Sequence, residues 1–271
     1  MGAGDCDRAP GWDCHVHVFD ASVPAAGAHY VPVARPLAQV EATARAHGCG
    51  HLVLVQPSVY GADNRLLLES LRAGAGRHRG VVVVHGRESA AELAAMHAAG
   101  VRGVRFNLVS PVGNAAGEAE ALLPVLAPEL RRLGWHVQWY VHPQHLALLV
   151  SLQARCRLPF VLDHLAGLTP AHALDERAWE ALRALAASAA WIKLSGWYRL
   201  QAEAPYTALQ PLVQRVAALF GERMVWGSDW PHTFFEAHDL PAYDSVWRPV
   251  VRALGEPAAQ RVRLAGALLY P

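Results

Sequence analysis

Gly80-Val-Val-Val-Val-His85, Ala90-Ala-Glu-Leu-Ala-Ala-Met96 and Val101-Arg-Gly-Val-Arg-Phe-Asn-Leu108 follow one another in the sequence. A β-branched run of six to eight residues, an alanine-rich stretch with apolar residues at helical spacing, and a second such run make a strand–helix–strand unit of roughly 30 residues. Two consecutive strands joined through a helix are parallel, because a hairpin turn cannot connect them. Working outward, the same alternation fills the chain. The strand-like runs are Trp12–Phe19, His51–Ser58, Gly80–His85, Val101–Leu108, Trp135–His142, Pro159–His164, Ala190–Gly196 and Met224–His232. Stretches such as Asn64-Arg-Leu-Leu-Leu-Glu-Ser-Leu71 and Glu118-Ala-Glu-Ala-Leu122 lie between them with helical periodicity. Eight repeats of this unit in 271 residues predict an α/β fold of the (β/α)8 TIM-like barrel type, in a single domain 1–271 with a short N-terminal tail 1–10. A doubly wound open sheet is the alternative. Its dinucleotide form wants a Gly-x-Gly-x-x-Gly turn after the first strand, and Val18-Phe-Asp-Ala-Ser22 stands there instead.

Composition narrows the function. Charges nearly cancel (24 Lys+Arg against 23 Asp+Glu), so there is no basic field for nucleic acid. At 53% hydrophobic and 17% charged the chain can bury a large core, and no apolar run approaches the ~18 residues of a membrane span. Cys6, Cys14, Cys49 and Cys156 show no paired spacing, which fits a reducing, cytoplasmic setting rather than a disulfide framework. The only lysine, Lys193, lies in Trp191-Ile-Lys-Leu-Ser195 and not in a phosphate loop.

Barrel chemistry sits where strands end and the following loops begin. Alternate residues of a strand share a face. Asp13, His15 and His17 therefore share a parity on the first strand, and Gln138, Tyr140 and His142 on the fifth. Arg105 and Asn107 end the fourth strand, Asp163-His164 the sixth, and Gly227-Ser-Asp229-Trp-Pro-His232 the eighth. Taken singly these have plain structural readings: a helix cap for Asp163 or Asp229, a surface ion pair for Arg105, packing for Trp139, Trp226 and Trp230. Taken together, His15, His17, His164 and Asp229 converge on one end of the barrel. Imidazoles plus a carboxylate suit zinc or manganese, and a bound divalent metal would make hydroxide available near neutral pH. The site reads as hydrolytic.

Asp13-Cys-His15-Val-His17-Val-Phe19, Val161-Leu-Asp163-His164 and Val225-Trp-Gly-Ser-Asp229-Trp-Pro-His232 resemble the signature strand ends of the amidohydrolase superfamily. More narrowly, the chain is similar to the branch holding 2-pyrone-4,6-dicarboxylate lactonase and related sugar-lactone and muconolactone hydrolases. Softer matches are Gln56-Pro-Ser58, Gly103-Val-Arg105-Phe-Asn107, Trp135-His-Val-Gln-Trp-Tyr140 and Trp191-Ile-Lys193-Leu-Ser195. The resemblance implies a hydrolase that opens a lactone ring, with Asp229 as general base. It implies His15 and His17, joined by His164 and Asp229, as holders of the water or of a divalent metal, with metal-independent catalysis the other option. His164 and Tyr140 would polarise the substrate carbonyl. Arg105 and Ser58 would grip a carboxylate or hydroxyl, with Arg199, Tyr30 and His232 also in the substrate pocket.

The sequence departs from that pattern. Asn107-Leu-Val-Ser-Pro111 offers no second arginine, and Leu165-Ala-Gly167-Leu lacks the arginine that follows the relatives' histidine. A small-molecule lactone with one carboxylate or with hydroxyls is expected, rather than the dicarboxylate. Two rivals remain: a metal-dependent decarboxylase using His142 as an extra ligand, and a non-catalytic ligand-binding barrel. A homo-oligomer is compatible with the sequence; nucleic acid and membrane partners are not expected.

Overall fold

The computed structural model describes residues 10–25, 30, 32–233, 235–236 and 238–271; most of the expected N-terminal tail therefore lies outside it. Eight strands form one parallel sheet in sequence order: β1 (Gly11–Val16), β2 (Cys49–Val55), β3 (Arg79–Val82), β4 (Val101–Asn107), β5 (His136–Tyr140), β6 (Phe160–Leu162), β7 (Trp191–Leu194) and β8 (Met224–Trp226). The sheet closes through the chain just beyond β8: His17 donates its backbone N–H to Trp230 O at 3.0 Å, and Asp229 N–H to His15 O at 2.8 Å. The fold is the expected (β/α)8 barrel. All eight expected strands are present, and several stop short of their expected ends. The run from Met224 is extended only to Trp226, because Asp229 and His232 take left-handed backbone (φ 60° and 59°).

Helices α1 (Leu37–Ala46), α2 (Arg65–Ala73), α3 (Ala90–Ala98), α4 (Ala116–Leu133), α5 (Leu146–Cys156), α6 (Glu176–Ala187) and α7 (Gln210–Phe220) fill the successive crossovers. Local sequence punctuates them. Ser89 and Glu92 form a reciprocal capping box that starts α3, and Gly134 in left-handed conformation (φ 67°) ends α4. Of three further helices, α8 (Arg248–Leu254) packs between α7 and α9, while α9 (Glu256–Leu264) and α10 (Gly266–Leu269) pack around β8 and β1.

Strand alternation separates two environments. Leu52, Leu54, Val82, Val104, Val137, Trp139, Leu162, Ile192 and Leu194 face the helices in the main core. Their neighbours Val53, Val55, Val81 and Val225 face the barrel axis and pack with Cys14, Trp12 and Tyr270. Beyond that apolar layer, where His136 packs edge-on to Tyr270, the axis turns polar: Gln138, Arg105, Asp163 and Lys193 are all buried. This buried polar layer is the platform on which the strand ends stand.

Candidate active site

The first strand carries the device that aims the histidines. Asp13 pairs with Leu52 and Val16 with Leu54, so β1 spends three steps where β2 spends two. The extra residue is a bulge. Asp13 and Val16 consequently face the helices, while Cys14, His15 and His17 face the axis. This corrects the simple parity that grouped Asp13 with the histidines. Asp13 works from behind: its Oδ1 accepts from Ser228 N–H (2.8 Å) and His15 N–H (3.2 Å), and its Oδ2 accepts from Tyr243 Oη–H (2.6 Å). Burial raises its pKa against these hydrogen bonds. A β-carbon at position 227 would fall 2.5 Å from His15 Cβ, so Gly227 lets β8 lie against the first histidine.

At the mouth a cavity of about 320 Å³ is lined by His17, Tyr30, Ser58, Arg105, Asn107, Tyr140, His164, Arg199, Asp229 and others. The structure thus brings together nearly all the expected site residues. Asp229 is 1% exposed. Its Oδ2 accepts from Tyr198 Oη–H (2.5 Å) and Arg199 Nε–H (2.7 Å). Its Oδ1 has no hydrogen-bond partner and faces His17 Nε2 at 3.4 Å and His15 Nε2 at 3.6 Å. Burial pushes the Asp229 pKa up, but the Arg199 charge, followed by His164 and His17, holds it well below the usual carboxylate range. It is a carboxylate with one oxygen tied and one bare.

The histidines are positioned from behind. His17 Nδ1 lies 2.8 Å from Val55 O; a carbonyl only accepts, so Nδ1 carries hydrogen. His164 Nδ1 contacts Ser195 Oγ at 2.8 Å. Burial lowers the His164 pKa to about 4, leaving a neutral imidazole. A β-carbon on Gly196 would meet His164 Nδ1 at 2.4 Å, and Gly196 has φ 59°, so only glycine serves there. Tyr140 stands edge-on to His164 (4.9 Å between ring centres), with the Arg105 guanidinium 5.6 Å from its ring centre. Arg105 donates to Gln56 O (3.3 Å), and its Nε lies 3.6 Å from Asp163 Oδ2. Tyr30 is hydrogen-bonded to the Ser58 side chain, and burial raises its pKa to about 12.

His15, His164 and Asp229 each offer a ligand atom within 4.8 Å of the others, a site able to hold one divalent metal. The donor set fits: His15 Nε2 and Asp229 Oδ1 are both buried without hydrogen-bond partners. His17 borders this group without belonging to it.

Several expectations need correction. His232 does not line the cavity; its left-handed backbone turns the ring against the edges of Tyr198 and Phe235. His142 is exposed and lines a neighbouring hollow, so it is not placed to ligate with His15, because Tyr140 ends β5 and the chain turns at Pro143. Neither Asp163 nor Asp229 caps a helix. Asp163 points along the barrel axis, accepting from Gln138 Nε2–H at 2.9 Å, and Asp229 is the pocket floor. Three partners were missed: Tyr198 and Ser195, which touch Asp229 and His164, and Lys193 beneath them. Lys193 and Ser195 carried a signal as members of Trp191-Ile-Lys193-Leu-Ser195, whereas nothing in the sequence marked Tyr198.

The amidohydrolase family model matches residues 12–261. A 4-sulfomuconolactone hydrolase from Rhizobium radiobacter is 31% identical over 236 residues, 85% of this chain and 79% of that protein. A 2-pyrone-4,6-dicarboxylate hydrolase from Comamonas testosteroni is 31% identical over 240 residues, 83% of this chain and 78% of that protein. A solved structure named as a candidate 2-pyrone-4,6-dicarboxylic acid hydrolase from Pseudomonas putida superposes with TM-score 0.81 at 32% identity, covering 96% of this chain and 97% of that one.

Proposed function

The chain belongs to the amidohydrolase family, and from that premise we propose that it is a hydrolase that opens a lactone ring with water activated by Asp229. The observation that carries this reading is the division of labour on one carboxylate. Arg199 and Tyr198 fix Asp229 Oδ2, leaving Oδ1 bare on the cavity floor between two imidazole nitrogens.

Water at Oδ1 passes a proton to the carboxylate as its oxygen bonds to the lactone carbonyl carbon. The carbonyl π electrons move to the carbonyl oxygen, where His164 and Tyr140 donate hydrogen bonds to the new negative charge. With Ser195 donating to Nδ1, His164 presents Nε2–H to the substrate. Collapse breaks the ring C–O bond, and the departing alkoxide takes the proton back from Asp229, giving a hydroxy acid. A divalent metal held by His15, His164 and Asp229 would take the His164 Nε2 lone pair in place of that donated hydrogen, and would itself supply Lewis-acid polarisation and a more acidic water.

Arg105 and Ser58 are assigned to the substrate's carboxylate or hydroxyl. Arg199 is already committed to Asp229, whereas Arg105 keeps a buried Nε without a hydrogen-bond partner beside a looser contact to Asp163, so among the described residues one guanidinium is left to take a substrate anion and the cavity suits a lactone with a single anionic group. That class differs from the dicarboxylate in the name of one relative. The setting we propose is cytoplasmic with a small-molecule substrate; no helix among the described residues is long and apolar enough to cross a membrane.

The test is proton release from a panel of carboxylated, sulfonated and sugar lactones, on chelated and on zinc- or manganese-replete protein, with Asp229→Asn alongside. Turnover of at least one lactone, reduced 10²-fold or more in Asp229→Asn, is expected for loss of a positioned base. A variant within a few-fold of wild type would remove Asp229 from that role. Activity surviving chelation would assign the water to the protein's own groups.

A further inference from the structure

Every basic residue of the 24 is arginine except one, and that lysine is wholly buried beneath the candidate site. Lys193 projects from β7 toward the barrel axis between Ile192 and Leu194, which face the helices. Its ammonium donates to Gln138 Oε1 at 2.7 Å. It also lies 3.4 Å from His15 Nδ1 and 3.4 Å from Asp163 Oδ1, while His15 Nδ1 lies 3.4 Å from that same Oδ1. Ammonium, carboxylate and imidazole nitrogen form a near-equilateral triangle.

The triangle poses a choice at Nδ1. An ammonium only donates, so it favours a bare Nδ1 with the ring hydrogen on Nε2. A carboxylate only accepts, so it favours hydrogen on Nδ1 and a bare Nε2. The two contacts are equal in length but not in direction. The ammonium contact has hydrogen-bond geometry, whereas Asp163 Oδ1 is left without a hydrogen-bond partner. Asp163 is otherwise engaged through Oδ2, by Gln138. The opposite nitrogen of His15 points at the bare Oδ1 of Asp229, 3.6 Å away. Arginine would not substitute: its planar fork spreads donors over a plane where this space admits one point charge.

We infer that Lys193 is a positioning residue that selects the Nε2–H tautomer of His15, turning that histidine into a donor toward Asp229 and away from metal ligation. Ligation through Nε2 needs its lone pair, so Lys193 works against a divalent cation at His15 while steadying the Asp229 oxygen that faces the water. Without Lys193, Asp163 prevails, hydrogen moves to Nδ1, and Nε2 offers its lone pair. The catalytic consequence rests on the proposed role of Asp229; the tautomer does not, because it is read without turnover.

The test uses the whole, chelated protein with [15N]histidine and two-bond 15N–1H correlation, His15 being assigned by its loss in His15→Gln. The expected result is an Nε2–H tautomer in the wild type and an Nδ1–H tautomer in Lys193→Met. Zinc titration by calorimetry should show at least a 10-fold gain in affinity in the same variant, and kcat should fall with KM little changed. An Nδ1–H tautomer in the wild type overturns the inference. So does an unchanged tautomer with unchanged zinc affinity in Lys193→Met. Should the methionine variant fail to fold, the wild-type spectrum still decides, and Lys193→Gln, which keeps a donor, should retain the wild-type tautomer.

Discussion

Arg105 and Arg199 are two guanidiniums on one cavity, and their partners separate their roles. Arg199 binds Asp229 Oδ2 at 2.7 Å and lies 3.3 Å from Thr233 Oγ1, so its charge is spent on the carboxylate that must stay ionised. Arg105 has a backbone carbonyl and a carboxylate oxygen at 3.6 Å, and its buried Nε has no hydrogen-bond partner. A charged substrate group would complete it. Arg105→Ala is therefore expected to raise KM for a carboxylated lactone by 10-fold or more, and for the matching methyl ester by only a few-fold. The ratio is the measurement, since any general disturbance of Asp163 affects both substrates alike. Equal rises would show that Arg105 does not read the carboxylate. The sequence marked Arg105 because it ends a strand, and it offered Arg199 only as a further residue of the substrate pocket. What it could not show is the distance from Arg199 to Asp229, residues 30 positions apart that only barrel closure brings together.

Among the elements, β1 carries the most information per residue. Its bulge rotates His15 and His17 onto the axis, and Asp13 holds it from the helix side with three accepted hydrogen bonds. Asp13→Ala would take the acceptor from Ser228 N–H, His15 N–H and Tyr243 Oη–H. A cost of about 3 kcal/mol follows, at ~1–3 kcal/mol for each unsatisfied buried group. The check is the urea midpoint of the variant beside wild type, with turnover of the best lactone measured below the transition. A loss under ~1 kcal/mol would mean that the bulge holds itself. Eight strands were legible because β-branched runs and helical stretches alternate so regularly. Their ends were not, since extended propensity runs on through Gly227-Ser-Asp229 while the backbone turns left-handed at Asp229. The one-residue bulge was illegible for a related reason: period-two reading assumes an unbroken ladder, and nothing in Trp12–Phe19 announces the break. The histidines were still placed correctly, because the bulge falls before His15 and restores their shared face.

For the whole molecule, the polar axis that serves the site also sets how stability responds to acid. Burial lowers His164 and His232 to about 4 and His136 to about 3, below the ~6.5 of an unfolded histidine. Between those values the unfolded chain binds protons that the folded chain refuses, so stability falls as pH falls through 6.5 and levels off only near the folded pKa values. At pH 5 the difference amounts to on the order of 1–2 kcal/mol per histidine before any relaxation. The carboxylates do not cancel this in the same window. Asp163 and Asp229 are held well below the usual range, so their contribution is lost only at still lower pH. Asp13, raised by burial, acts in the opposite direction and recovers a part near its own pKa. Urea unfolding at pH 7.5, 6.5 and 5.0 should therefore show the unfolding free energy dropping mainly across the lower interval, by roughly a few kcal/mol in total, with the midpoint falling in step. His232 lies outside the cavity, so His232→Phe should remove about one histidine's share of that slope while leaving KM for the lactone near wild type. A midpoint that does not move between pH 6.5 and 5.0 would mean that the buried imidazoles take up protons in place, and that the axis is wetter than its packing indicates.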